Sequence, residues 1–377
     1  MNIGVPKETW PGETRAALVP DGVRRLAKQG AQVQIECGLG ATIGGADSDY
    51  AAAGASIATD RRALLASADM VLRVRRPPPE EIEWLKPGAV HISFLDPFNE
   101  SELLRRLAAR GVSAISMERM PRITRAQSMD ALSSQNSLAG YVAVILAAAH
   151  LPRIFPMMMT AAGTITAARV LVIGAGVAGL QAIATAHRLG ARVEACDSRP
   201  AVEEEVRSLG ARFLKLDVGD TGRSQQGYAE VLTNDQLLRQ RQSLKRFCAQ
   251  ADVVITAAQV FGRRAPVLLT AEVLDAMRPG SVVVDLAVEN GGNVVGITAG
   301  EMTERHGVKI IAAGNLPSHV PVHASQTYSA NLTALVEEFW DGSGSFRMKA
   351  DDEILRACLV THAGNVCHGS PSASPPG

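Results

Sequence analysis

The sequence predicts an α/β protein made of two doubly wound, parallel-sheet domains. Three observations predict it. Short apolar, β-branched runs alternate with amphipathic helical stretches along most of the chain, an order that gives parallel sheets covered by helices. The length, 377 residues, suits two domains rather than one. Residues 168–197, ARVLVIGAGVAGLQAIATAHRLGARVEACD, hold a strand, a glycine turn, a helix and a second strand in one unit of the Rossmann type.

Taken in order, residues 2–5 form a short strand. A helix over 23–28 follows Pro20 and Asp21 and stops at Gly30. Residues 32–36 return as a strand, with Val33 and Ile35 on one face. Residues 70–74, 90–94 and 113–116 are further strands, and 100–109 a helix with Leu103, Leu104 and Leu107 at helical spacing. No G-x-G-x-x-G stands at a strand end here, so this domain is not expected to be the dinucleotide site. Residues 128–149 read as a long helix passing between domains. PRIFPMMMTAAGTIT follows as a polar-poor connection, whose Met157, Met158 and Met159 suit adaptable packing better than a metal.

Beyond Asp197, residues 212–216 form a strand. Residues 218–242 are polar, with Gly222 and Gly227, and read as a mobile surface loop followed by a helix from about Asp235. Residues 253–256, 282–285 and 309–311 are strands, and 274–277 close a helix ahead of Pro279 and Gly280. A helix over 324–339 returns to the first domain. Residues 341–377 are weakly patterned and end in SPSASPPG, expected to fray. The expected domains are residues 1–134 with 320–377, and residues 135–319, with the cofactor in the cleft between them.

Bulk properties exclude several functions. Lys+Arg and Asp+Glu balance at 38 each, and aromatics are 4%, which speaks against nucleic acid. Five scattered cysteines without a C-x-x-C pair suit a reducing compartment. MNIGVPKE carries no basic-then-apolar leader. The apolar run 142–149 is cut by His150, Pro152 and Arg153, short of the roughly 20 residues a membrane span needs. The eight histidines show no H-E-x-x-H spacing, and no metal is expected, including at His319 and His323. No Walker-type or G-x-S-x-G motif is present.

The glycine unit carries specific chemistry. Gly174 permits the tight turn, Gly176 lets the backbone approach a pyrophosphate, and Gly179 lets helix and strand pack closely. The helix start offers unpaired N–H groups and a positive dipole end to phosphates. Asp197 suits the two hydroxyls of an adenosine ribose and repels a 2′-phosphate, so the cofactor is read as NAD. Arg199 either covers the adenine face or pairs with the acid. A second polar segment, PRITRAQSMDALSSQ at residues 121–135, gathers Arg122, Gln127, Asp130 and Ser133. It reads as a helix start with capping groups, or as a nicotinamide site in which Gln127 offers a carboxamide both donor and acceptor.

PKE at 6–8, PGETR at 11–15, RAQSMDALSSQ at 125–135, FPMMMTAAGT at 155–164, GVAGLQAIATA at 176–186 and DLAVENGGN at 285–293 together resemble the NAD(H)-binding component of proton-translocating nicotinamide nucleotide transhydrogenases. The likeness runs over nearly the whole chain. PKE and the glycine turn are shared with the related alanine dehydrogenases. The resemblance implies direct hydride transfer between NAD(H) on this chain and NADP(H) on a partner domain, with orientation as this chain's task. It implies a homodimer, peripheral on the cytoplasmic face of the inner membrane, docked on a membrane subunit and an NADP(H)-binding component. It places Arg122, Gln127, Ser128, Met129, Asp130 and Ser133 around the nicotinamide end, with Gln127, Arg122 and Asp130 nearest the chemistry. Val177, Asp197, Ser198 and Arg199 fall on the adenosine half. Gly227 and Tyr228 belong to a closing loop backed by Gln240, and Gln259 is a further contact.

An NAD-dependent alanine dehydrogenase is the alternative. It needs a carboxylate anchor, for which Arg15 is the candidate, otherwise a surface arginine. It also needs a proton acceptor. Those relatives keep a His where this chain has Asp96, an Asp where it has Glu289 and a Lys where it has Arg75, which does not deprotonate at working pH. A non-catalytic NAD-binding regulator is a third reading.

Overall fold

The structure, a computed structural model, describes residues 1–216, 234–259, 262–342 and 344–367. It divides into two compact units, Met1–Gln135 with Pro317–Gly377, and Asn136–Leu316. In chain order the first unit opens with β1 (Asn2–Val5), α1 (Pro20–Lys28), β2 (Gln32–Glu36), α2 (Asp47–Ala52), β3 (Ala55–Ala58), α3 (Arg61–Ser67), β4 (Met70–Leu72), α4 (Pro79–Ile82), β5 (Val90–Ser93), α5 (Ser101–Ala109) and β6 (Ser113–Ser116). A 3-10 turn, Thr124–Met129, leads into α6 (Ala131–His150), inside which the unit boundary falls.

The second unit carries β7 (Met158–Thr160), β8 (Gly163–Ile165), β9 (Arg169–Ile173), α7 (Val177–Arg188), β10 (Arg192–Cys196), α8 (Glu203–Ser208), β11 (Arg212–Phe213), α9 (Asn234–Cys248), β12 (Val253–Thr256), α10 (Ala271–Leu274), β13 (Val282–Asp285), β14 (Met302–Arg305) and β15 (Val308–Ile311). The chain then returns with α11 (Pro321–Glu338), α12 (Glu353–Cys358), β16 (Leu359–His362) and β17 (Asn365–Val366).

The first sheet runs β17-β16-β6-β5-β4-β1-β2-β3 and is parallel from β6 to β3. All residues of β4, β5 and β6 are buried, as befits a sheet covered on both faces. The second sheet runs β11-β10-β9-β12-β13-β15-β14, with β14 antiparallel. Its register aligns Cys196, Ile173, Thr256 and Asp285 in one row. The residues that follow them therefore share one edge, at the β9/β12 switch point where α/β sheets bind ligands.

Several expectations are corrected. The helix expected over 128–149 begins at Ala131, because Asp130 caps it: its Oδ1 accepts the Ser133 N–H at 2.9 Å. The connection after α6 is an antiparallel β7–β8 hairpin; Met157 just before it and Met158 and Met159 on its first strand are 64%, 45% and 80% exposed rather than buried in a core. The weakly patterned tail supplies α12 and β16, with Leu359, Val360 and Thr361 buried against β6. The strands expected over 70–74 and 212–216 end at Leu72 and Phe213. By length and composition alone α6 is apolar enough to span a membrane. Its Val142, Ala143, Val144 and Ala147 are nonetheless buried. At Gly140 a Cβ would lie 2.1 Å from the Ala178 carbonyl, so α6 crosses α7 at backbone contact.

Candidate functional site

The three glycines of the G-x-G-x-x-G turn have two different reasons to be glycine. Gly174 takes φ +98°, and a side chain there would meet the Ala257 and Ala258 backbone at 2.9 Å. At Gly179 a Cβ would sit 1.9 Å from the Gly174 carbonyl oxygen, so α7 rests directly on the turn. Gly176 differs: among the described residues nothing lies within 4 Å of the position a Cβ would take. It faces open space at the start of α7, where no side chain caps the helix and no acid occupies the first turn. Unpaired N–H groups and a positive dipole end in an open cradle fit a pyrophosphate. Val177, the first helical residue, is 37% exposed beside it.

Asp197 follows β10 on the same edge. Its Oδ2 accepts the Ala175 N–H at 2.7 Å, and its Oδ1 the Arg199 N–H at 2.8 Å. The Arg199 guanidinium donates to both oxygens at 3.1 Å. Of the two roles open to Arg199, it takes the ion pair in this structure. Burial pushes the Asp197 carboxyl up, but these bonds outweigh it and hold it below the usual carboxylate range. Ser198 is exposed alongside.

Beneath the turn lies a buried clamp that sequence reasoning missed. Asn293 accepts from the Ala258 N–H at 3.1 Å, and donates to the Ala258 and Pro266 carbonyls at 2.8 Å each. Its own N–H donates to Asp285 Oδ2 at 2.7 Å. Burial raises the Asp285 carboxyl above its usual value. An acid at a strand end followed by an Asn in a Gly-rich turn was the available signal. Gln259 is exposed and donates to the Leu286 carbonyl at 3.1 Å. Gln240 is buried on α9. Gly227 and Tyr228 lie outside the described residues.

In the first unit, the 3-10 turn gives the RAQSMD segment a period of three. Ala126 and Met129 are buried, while Thr124 and Gln127 are exposed. Met129 is thus a packing residue within its unit. Asp130 and Ser133 are bonded to each other, Ser133 Oγ donating to Asp130 Oδ2 at 2.6 Å. Arg122, Gln127 and Ser128 are exposed. Among the described residues, no hydrogen bond or ion pair engages the Arg122 or Gln127 side chain.

Residues 4–139 match the family described as alanine dehydrogenase/PNT, N-terminal domain, and residues 143–369 match its C-terminal domain. The chain belongs to the alanine dehydrogenase/PNT family. It is 43% identical over 376 residues to an NAD(P) transhydrogenase subunit alpha component of Rhodospirillum rubrum, covering 98% of each chain. It superposes on the crystal structure of transhydrogenase from Sinorhizobium meliloti with a TM-score of 0.88 at 44% identity, covering 97% of this chain and 100% of that one. Alanine dehydrogenase of Bacillus subtilis is 31% identical over 378 residues, 98% of this chain and 93% of that one.

Within this alanine dehydrogenase/PNT chain, Arg15, Arg75 and Asp96 are each engaged by the chain's own residues. Arg15 is not a surface arginine: it is buried. It donates to Glu13 at 2.8 and 2.7 Å and to Gln135 Oε1 at 2.8 Å. Arg75 Nε donates to the same Glu13 at 3.0 Å. Burial pushes Glu13 up, yet Arg15 and Arg75 bring it down to about 2. Asp96 holds φ +51°, its N–H donating to Glu118 at 2.5 Å and its Oδ1 accepting from Asn99 at 2.8 Å.

Proposed function

We propose that this chain is the NAD(H)-binding component of a proton-translocating transhydrogenase. It holds NAD(H) for direct hydride exchange with NADP(H) on a partner domain. The observation that carries the reading is the switch-point edge of the second unit. There an uncapped helix start, an open Gly176 and an ionised Asp197 stand together, in a chain alike over nearly its full length to a transhydrogenase subunit alpha component. The bound cofactor supplies a hydride at its nicotinamide C4. The chain's residues bind and orient. The α7 N-terminus meets the pyrophosphate, and Asp197, Ser198 and Arg199 the adenosine half. Arg122, Gln127, Ser128, Asp130 and Ser133 are assigned to the nicotinamide, with Gln127 on its carboxamide. Gln240, Gln259, Gly227 and Tyr228 are assigned to the nucleotide's flanks. Arg199 must release some of its hold on Asp197 for the ribose hydroxyls to bond there.

No general acid or base is required of this chain, since hydride transfer moves no proton. Arg15, the carboxylate anchor of the alanine dehydrogenase reading, is engaged by Glu13 at 2.7 Å. The chain is assigned to a homodimer on the cytoplasmic face of the membrane, docked on a membrane subunit and an NADP(H)-binding component. Exposed methionines on the β7–β8 hairpin support the dimer, because such apolar surface marks interaction sites. The test is reconstitution. NADH oxidation by an NADP analogue should appear only after the NADP(H)-binding domain is added. Oxidation of NADH by the chain alone with pyruvate and ammonia would establish alanine dehydrogenase instead.

A further inference from the structure

The segment that presents Gln127 is held in place from α11. Asn331, 8% exposed, donates from Nδ2 to the Ser128 carbonyl at 2.7 Å, and its Oδ1 accepts the Ser134 hydroxyl at 2.7 Å. One amide thus ties the residue after Gln127 to the first turn of α6. On the other side, Arg125 pairs with Asp352 at the start of α12 and with Glu338 of α11 at 3.4 Å. Ala126 and Met129 fix the buried face. The backbone on either side of Gln127 is anchored, while its side chain stays exposed.

We propose that Asn331 is a positioning residue for the Gln127 carboxamide. Resting on the reading of Gln127 given above, it acts by fixing the Ser128 carbonyl and hence the direction in which Gln127 projects. Orientation is what this chain contributes to hydride transfer, and small misplacements are costly there. Asn331 touches no reacting atom.

The test is a double-mutant cycle on the full chain with its NADP(H)-binding partner domain. It measures single-turnover hydride transfer from NADH to an NADP analogue, NADH affinity by calorimetry, and Tm. Asn331→Ala should slow transfer about tenfold while NADH affinity changes less than about threefold. In a Gln127→Ala background it should add no further loss of rate, because residues acting as one unit are not additive. Asn331→Asp has nearly the same volume and keeps the Ser134 acceptor but loses the donor to Ser128. It should show the same pattern, and decides the matter where the alanine variant does not fold. Additive losses, or an unchanged rate in both variants, overturn the proposal. A Gln127→Ala protein as fast as the wild type would instead overturn the reading of Gln127 itself.

Discussion

At the residue scale, Asp197 is an acid with two opposed demands on it. Burial disfavours its charge, while two backbone N–H groups and the Arg199 guanidinium restore it. Asp197→Ala should weaken NADH binding about tenfold or more and narrow the preference over NADPH, as read by calorimetry with both nucleotides. A weakening of NADPH binding by the same factor would contradict its role in discrimination. Gln127 is exposed and placed by its neighbours. Gln127→Asn shortens the amide's reach without touching the adenosine contacts, so hydride transfer should slow more than NADH binding weakens. Single-turnover rates set against calorimetric affinities check this. The glycines and Asp197 were legible in the sequence because each follows from local spacing. Arg15 was not. Its burial depends on Glu13 from its own loop and on Gln135, 120 positions away, a pairing no local pattern encodes. Asn293 was missed for the same reason: its bonds reach Ala258 and Pro266 across the loops of two strands.

At the scale of elements, the strand–turn–helix unit works through two tight glycine contacts and one open position. Gly179→Ala drives a methyl into the Gly174 carbonyl and should cost about 3 kcal/mol in urea unfolding. Gly176→Ala meets no atom of the described residues. It should stay within about 1 kcal/mol of the native stability and yet bind NADH about tenfold more weakly, because the methyl occupies the pyrophosphate's approach. Unfolding curves and calorimetry on both variants separate the two outcomes. The β7–β8 hairpin gives a parallel test: Met159→Asp should shift the protein from dimer to monomer in analytical ultracentrifugation. The strands of both sheets were readable as apolar β-branched runs. The hairpin was not, because MMM–TAAG–TIT lacks alternation and both of its strands are exposed throughout, so no buried face leaves an apolar period in the sequence. The tail strand Leu359–His362 was hidden by its shortness, and by an antiparallel partner, Ser113–Ser116, almost 250 positions earlier.

At the scale of the whole molecule, buried carboxylates give stability a particular pH dependence. Burial raises Glu8 from 4.5 to about 7, against the Arg73 charge and the Val74 N–H. Between those values the folded chain binds more protons than the unfolded one, so this group makes stability fall as pH rises. Buried His91 is lowered from 6.5 to about 3. It is protonated less in the folded chain, so it makes stability rise with pH over that range. Glu13, lowered to about 2, acts only below the usual carboxylate range, where its contribution is lost as pH falls. Glu8→Gln removes the first effect alone. The variant should gain on the native protein by up to about 3 kcal/mol between pH 5 and pH 8, measured by urea unfolding at both. A constant difference would contradict the buried, proton-holding Glu8.

In the proposed function the chain holds a nicotinamide still for a neighbour and makes no bond to a metabolite itself. Isotope tracing tests it most directly. NADH carrying deuterium at the transferred C4 position is bound to this chain, and an NADP analogue to the partner domain. All of the deuterium should appear in the reduced NADP analogue after one turnover in ordinary water. Solvent hydrogen at the reduced C4 of that product would contradict it, as would deuterium at the α-carbon of alanine formed from pyruvate and ammonia without the partner.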